Sequence, residues 1–245
     1  MKYIATYQNK ALTSNDSLLT IELTLDDTLE NNTWDTIAKA FKLGVAPSGW
    51  LGQTKQITSG TYNGYHLQLV DNTANRYERA DGTGYTKAVF QFVEILYYGS
   101  KMYSTDNNSG GWADSIVKTT KMPEVYADLP SEIKAIITEC EVLSSIGGGS
   151  STTSSSNNNL FLPSEYEVFG SATYSIGSAE GSPQYTWWAK AESDKKKHKY
   201  NENQYMGWWL RSPYSNSLFC LVGDNGTESN GYASTTHLYA PAFAI

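Results

Sequence analysis

A catalytic centre in this chain would have to be built from three histidines, two cysteines and a short run of carboxylates. Their spacing limits the chemistry open to them. His66, His198 and His237 stand in three different settings: an alternating strand, a lysine run and a segment near the carboxyl terminus. No His-Glu-x-x-His pattern is present, and no Gly-x-Ser-x-Gly follows a strand. Cys140 and Cys220 have no Cys-x-x-Cys spacing, and soft metals need converging thiolates. Each cysteine sits in an apolar run, which predicts buried free thiols; a single bridge between them is the alternative. Glu165 and Glu167 are close in sequence, but residues two apart on a helix point in different directions. They read as charges at the positive end of a short helix. Asn201 to Asn203 and the run Gly223 to Gly226 offer oxygens, yet a hard cation wants several converging ones, and turn chemistry accounts for Asp224-Asn225-Gly226. No catalytic residue, metal ligand or cofactor is assigned, and an enzyme is not expected.

Binding chemistry is better represented. Between Arg211 and Pro241 the chain is crowded with Tyr214, Ser215, Asn216, Asn225, Thr227, Asn230, Tyr232 and Tyr239. Tyrosine gives rigid contact area at low entropy cost, while serine and asparagine give adaptable hydrogen bonds. These residues, with Trp187 as an aromatic platform, form a candidate ligand face; the alternative is a set of polar loops on a neutral surface. Trp208, Trp209 and Arg211 in "WWLRSP" read as structural. Successive strand residues face opposite sides, so at most one tryptophan is expected in the core. Arg211 is expected to fix a turn through backbone carbonyls or a carboxylate.

These residues need elements to carry them. "LLTIELTL" alternates apolar and polar positions, so residues 1–28 read as a strand-rich N-terminal segment suited to attachment or oligomerisation; the alternative is an edge strand of the main sheet. "NTWDTIAKAFKLG" places Trp34, Ile37, Ala38 and Phe41 on one helical face, with Thr33 or Asn32 as cap and Gly44 past the end. Gly49 to Gly52 reads as a turn into a strand. "GYHLQLVDN" and "AVFQFVEILYY" predict an antiparallel strand pair. Two helices should follow, one marked by Trp112, Ile116, Val117 and Thr120, the other by Ile133, Ile136, Ile137 and Cys140. "GGGSSTTSSSNNN", residues 147–159, has no apolar residue and reads as a flexible loop or linker. Pro163 to Gly170 predicts a short helix and Leu218 to Val222 a strand. A tight turn at 223–226 and a terminal strand in "YAPAFAI" complete an α+β chain with helices flanking an antiparallel sheet.

Composition narrows the partners. The 245 residues suit one large domain or two small ones, and a single domain over 29–245 is preferred. A net charge of −7 opposes nucleic-acid binding, and the run Lys195 to Lys199 reads as a solvated loop. No signal-peptide core opens the chain. Ala88 to Tyr98, the most apolar stretch, is too short to insert in a membrane. A soluble chain is expected.

The order of "TWDTIAKAFKLGVAPSGW", the strand pair, "LFLPSEYEVFG", "WWLRSP" and the ending "APAFAI" resembles a domain of bacteriophage and prophage structural proteins. That domain is similar to the C-type-lectin-like fold of formylglycine-generating enzymes. The resemblance covers about residues 30–245. It implies a C-type-lectin-like domain with a short N-terminal β element, the "LPSE" helix on the sheet, and a ligand face beside the last strands. It further implies a virion component, a tail or head fibre-like protein that attaches to a host-surface glycan or protein. Other virion proteins would be held through the N-terminal segment, in a homo-oligomer. A capsid or tail decoration protein without external ligand is the alternative. A copper enzyme of the formylglycine-generating type is disfavoured, since Cys140 lies in an expected helix far upstream of Cys220.

Overall fold

The computed structural model describes residues 2–9, 19–175, 180, 183–191 and 193–245. Residues 10–18 lie outside the described residues, so only Leu19 to Leu25 of the "LLTIELTL" reading is tested there. Among the described residues the chain is α+β and its sheets are antiparallel. The strand pair read from sequence forms the centre of the largest sheet. β4 (His66–Asp71) pairs with β5 (Val89–Phe92), with Leu69 opposite Phe90. β3 (Thr54–Gln56) extends one side and β13 (Ala242–Ala244) the other, giving the order β13-β5-β4-β3. The chain terminus is held further by single bridges from Ala242 to Phe161 and from Ala244 to Thr138. β1 (Lys2–Asn9) and β2 (Leu19–Asp26) pair along their whole length as a separate two-stranded ribbon, not as an edge of this sheet.

Helix α1 (Trp34–Leu43) forms where its caps require. The Thr33 hydroxyl accepts from the Thr36 amide, and Gly44 ends the helix at φ 70°. Its apolar stripe buries Trp34, Ile37, Ala40 and Phe41. Trp34 meets Phe90 edge-on at 5.5 Å, and Phe90 stacks on Phe243 at 5.6 Å, so helix, central strand and terminal strand share one core.

Several expectations fail for identifiable reasons. The polar run 147–159 is not a flexible loop. β7 (Thr153–Asn158) pairs residue by residue with β6 (Cys140–Ser145), and Gly147, Gly148 and Gly149 turn between them at φ 71°, 62° and 73°. A solvent-facing strand needs only a backbone partner, so absence of apolar side chains does not preclude it. Cys140 therefore opens a strand, and its expected helix shrinks to α3 (Ser131–Lys134). The other helix is α2 (Met122–Asp128), entered through a π turn at Val117–Lys121, with Trp112 in the turns before it.

Trp208 and Trp209 are both fully buried, against the expectation of one. They begin β10 (Trp208–Tyr214), which pairs with β11 (Leu218–Val222), which in turn pairs with β12 (Glu228–Tyr232). The two indoles still point to opposite sides, but both sides are covered: Trp208 Nε1 donates to the Lys195 carbonyl and Trp209 Nε1 to the Ser100 carbonyl. The lysine run is likewise no solvated loop at its centre. Lys197, in β8 (Lys197–His198), is buried. Its Nζ donates to the Phe92 and Val93 carbonyls and lies 5.6 and 5.4 Å from the rings of Trp188 and Trp208. β9 (Tyr205–Met206) pairs with this strand.

Arg211 and α4 (Glu165–Phe169) form the polar centre of the fold. Ser164 caps α4 in a reciprocal capping box with Glu167, and Gly170 ends it at φ 75°. Both glutamates are buried, so they are more than charges at a helix end. The Glu165 carboxylate accepts the amides of Tyr174 and Ser175. Glu167 receives Arg211 through both oxygens, at 2.5 and 2.8 Å, plus the Tyr77 and Tyr185 hydroxyls at 2.7 and 3.1 Å. Arg211 also donates from Nε to the Leu143 carbonyl, from Nη1 to that of Leu162 and from Nη2 to that of Glu180. All five guanidinium hydrogens are thus used. Burial alone would raise the Glu167 carboxyl, but Arg211 overrides it and holds the group below its ordinary value.

Two outcomes follow from these buried charges. Glu167→Gln leaves the Arg211 charge buried without its counter-ion and should lower unfolding free energy by about 3–5 kcal/mol in urea titrations. Burial lowers the Lys197 pKa from 10.5 to about 7. Between these values the unfolded chain binds the extra proton, so stability should rise from about pH 7 to pH 10, at about 1.4 kcal/mol per unit. Lys197→Met should flatten that rise in pH-dependent denaturation; an unchanged slope would exclude Lys197 as its source.

Candidate functional site

The residues expected to form a ligand face converge only in part. Tyr214, Ser215 and Asn216 lie at the β10–β11 turn, and Tyr232 is at the same end of that sheet, since Leu218 pairs with Tyr232. Asn225 and Thr227 occupy the β11–β12 turn at the opposite end, about 17 Å away at the usual strand rise. Asn230 faces Cys220 in the middle. Trp187 belongs elsewhere. Its amide donates to the Val70 carbonyl, and its ring packs over Gly52, where a Cβ would lie 2.2 Å from it.

In these turns the fold engages the backbone carbonyls of Tyr214 and Ser215 and the side chains of Asn225 and Thr227. Buried Asn108 donates from Nδ2 to the carbonyls of Tyr214, Ser215 and Leu218, and the Gly149 amide donates to the Ser215 carbonyl. Asn225 Oδ1 accepts both the amide and the hydroxyl of Thr227. The Asn225 side chain, weighed as an oxygen donor to a hard cation, is therefore engaged in turn chemistry.

Tyr239, the remaining candidate, is buried and lies in a different place: the wall of a cleft of about 370 Å3. Three parts of the chain build this cleft. The loop before β4 supplies Tyr62 and Tyr65. The segment after β5 supplies Leu96, Tyr97 and Tyr98. Helix α2 and the π turn before it supply Lys121, Glu124, Val125 and Asp128. Spacings of three, four and seven residues put these four on one helical face. Val125 is buried at the floor while Glu124 and Asp128 stay exposed at the rim. The Leu96 amide donates to the Tyr239 carbonyl and ties the second part to the C-terminal segment.

The tyrosines are set by specific contacts. Tyr62 meets Tyr65 edge-on at 5.7 Å and Phe92 at 5.5 Å. Tyr65 stacks on Tyr200 at 4.6 Å. Gly64, at φ 94°, makes that stacking fit, because a Cβ there would lie 2.0 Å from the Tyr200 hydroxyl. Tyr97 and Tyr98 form a perpendicular corner at 5.3 Å, with Lys199 Nζ 5.2 Å over the Tyr97 ring. Tyr98 is 78% exposed and Tyr97 57%, so both present ring surface that the fold does not use. Burial raises the Tyr62 hydroxyl well above its ordinary pKa, helped by Tyr239 and Asp128. Burial, with Glu124 nearby, pushes Tyr239 up to about 12. Both therefore act as neutral donors near pH 7. Lys121 and Glu124 pair at 2.7 Å across the rim.

The groups weighed for catalysis remain apart. His66 Nδ1 lies 2.8 Å from Glu94 Oε1, His198 Nδ1 lies 2.9 Å from the Lys199 carbonyl, and His237 packs edge-on to Trp209 at 4.5 Å. Cys140 and Cys220 are buried free thiols; burial pushes Cys140 up to about 12 and raises Cys220 well above its ordinary value. Among the described residues no three His, Cys, Asp or Glu side chains are grouped to hold a metal ion, and no helix is long and apolar enough to cross a membrane.

Tyr97 and Tyr98 were legible only as the end of an apolar strand. The strand stops at Phe92, which frees them for the cleft. The rim of α2 carried a signal in its i, i+3, i+7 polar spacing, but a solvated helix face has the same spacing. No curated protein and no solved structure matches the chain. The model of a domain of unknown function, DUF6273, matches residues 86–245, from just before β5 to the terminus, taking in α2, Glu167, Arg211 and Tyr239. That span is well over half of the sequence, and the chain belongs to the DUF6273 family.

Proposed function

We propose that this chain is a recognition module whose tyrosine-lined cleft holds a saccharide of a host-cell surface, presented on a bacteriophage particle as part of a tail or head fibre. The observation that carries the reading is the cleft: exposed Tyr97 and Tyr98 rings facing a charged helical rim. Aromatic faces hold the apolar side of a sugar ring, and carboxylate, ammonium and phenol groups meet its hydroxyls. The volume of about 370 Å3 falls within the range of small-ligand sites. The virion setting rests on the sequence resemblance. A C-type-lectin-like architecture for 29–245 is part of the same reading, supported by helices flanking an antiparallel sheet that the last strand completes. The ribbon β1–β2 would serve attachment to other virion proteins or self-association, because an isolated two-stranded ribbon is marginal in water and gains from a partner. Exposed Ile4 on that ribbon equally suits a decoration protein that contacts only its virion neighbours.

A glycan array probed with the purified chain, followed by host-cell adsorption, tests the assignment. Tyr98→Ala should abolish array binding while changing stability by less than about 0.5 kcal/mol, as expected for an exposed side chain. Changing Tyr214, Asn216 and Tyr232 together should leave binding intact. Binding lost in that triple variant and kept in Tyr98→Ala would move the site to the β10–β11 end. No saccharide binding, with the protein located inside assembled particles, would favour the decoration reading.

A further inference from the structure

The tyrosine cleft has a charge preference as well as a shape. Tyr62, Tyr65, Tyr97, Tyr98 and Tyr239 line it, and Leu96 and Val125 add alkyl surface. The face of a phenol ring carries partial negative charge. Aromatic rings gathered around one space therefore favour a cation over a neutral group of the same shape. The fold already uses one of these rings in that way, since Lys199 Nζ stands 5.2 Å over Tyr97.

The rim adds formal negative charge. Glu124 pairs with Lys121 at 2.7 Å, and Lys199 lies 3.8 Å from Glu202, so both nearby cations have counter-ions. Asp128 is exposed and forms no ion pair among the described residues. Its field reaches the floor: burial first, then Tyr239 and Asp128, raise the Tyr62 hydroxyl above its ordinary value. Glu124 acts in the same sense on Tyr239, after burial. The lining also discriminates between kinds of ammonium. A primary ammonium has three donors, and each needs an acceptor once its water is lost. Ring faces, Leu96 and Val125 are poor replacements. An ammonium whose hydrogens are replaced by methyl groups has no donor to satisfy, and its methyls pack on ring and alkyl surface.

We infer that the cleft selects a methylated ammonium group, the chemistry of choline, carried as a substituent on the saccharide. This rests on the cleft being the ligand site and names the part of the ligand that it reads. Tyr97 and Tyr98, exposed at the corner, cover the cation, and Asp128 supplies the counter-charge. The cleft, at about 370 Å3, is larger than a trimethylammonium group, which leaves space for the sugar ring that bears it.

Titration of the full chain with choline, with 3,3-dimethyl-1-butanol and with ethanolamine, followed by saturation-transfer NMR, tests the inference. The butanol has the shape of choline with carbon in place of the charged nitrogen, and ethanolamine keeps the charge without the methyls. Choline should bind at least about tenfold more tightly than either, the sum of contributions from several rings. Tyr98→Leu keeps apolar bulk without a ring, and it should weaken choline at least about fivefold while leaving the butanol unchanged. Tyr98→Phe should keep choline affinity within about twofold, because the ring face is retained. Circular dichroism checks that each variant is folded; the three-ligand comparison on the unaltered chain needs no variant. Equal binding of choline and the butanol, tighter binding of ethanolamine, no choline binding up to about 10 mM, or unchanged choline affinity in a folded Tyr98→Leu would overturn the inference. Choline binding together with cosedimentation on phosphatidylcholine vesicles would overturn the saccharide as carrier. Array binding of uncharged glycans without choline binding would overturn the inference and leave the saccharide site standing. Choline binding with no array binding of uncharged glycans would support the inference and remove an unsubstituted saccharide as ligand.

Discussion

The ion pair between Arg211 and Glu167 constrains more of this structure than any other contact. Both side chains are fully buried, and desolvating two charges is recovered only when the geometry is good and every remaining donor and lone pair is used. That condition is met by drawing in distant parts of the chain: β6 through Leu143, the approach to α4 through Leu162, residue 180 through its carbonyl, and Tyr77 and Tyr185 through their hydroxyls. Any change in the seating of one partner leaves a buried charge short of a bond. The pair therefore acts as a register pin for α4, β6 and β10, which apolar packing alone would tolerate in several arrangements.

The aromatic cleft depends on a second layer of constraint. Tyr239 enters through the C-terminal segment that runs into β13, and β13 is fixed by Phe90 stacking on Phe243 and by bridges to Phe161 and Thr138. Tyr62 and Tyr65 are fixed by Phe92 and Tyr200, the latter admitted by Gly64. The cleft floor is thus continuous with the core, while its Tyr97–Tyr98 corner projects into solvent. A rigid floor with exposed rings is pre-organised for a ligand, since little side-chain freedom remains to be lost at the floor on binding.

Local signals predicted local structure well. Helix α1 was readable from Thr33 to Gly44, and α4 from Pro163 to Gly170, because caps and stripes act within a few residues. The β4–β5 pair and the 223–226 turn were readable for the same reason. Failures occur where a distant partner decides. Residues 153–158 become a strand because β6 offers them a backbone ladder, and no side chain announces it. Lys197 is buried because two carbonyls of the β5 end and two indoles from elsewhere surround it, whereas five basic residues in sequence suggest only solvent. Arg211 was readable in role but not in partner: its carboxylate lies 44 residues upstream, on a helix whose acids had a sufficient local explanation.

The same distinction explains why composition pointed to residues that the fold only partly brings together. Tyrosine, serine and asparagine signal binding only if their polar atoms are left open by the fold. In the β11–β12 turn Asn225 and Thr227 are closed on each other, while in the β10–β11 turn Asn108 and the Gly149 amide hold backbone carbonyls. In the cleft, Tyr98 keeps its ring in water although it belongs to the most apolar stretch of the sequence. Exposed apolar surface is a state that folding tends to eliminate. It persists at Tyr97 and Tyr98, at the edge of a cavity of about 370 Å3, and that surface rather than the count of polar residues is what distinguishes the cleft.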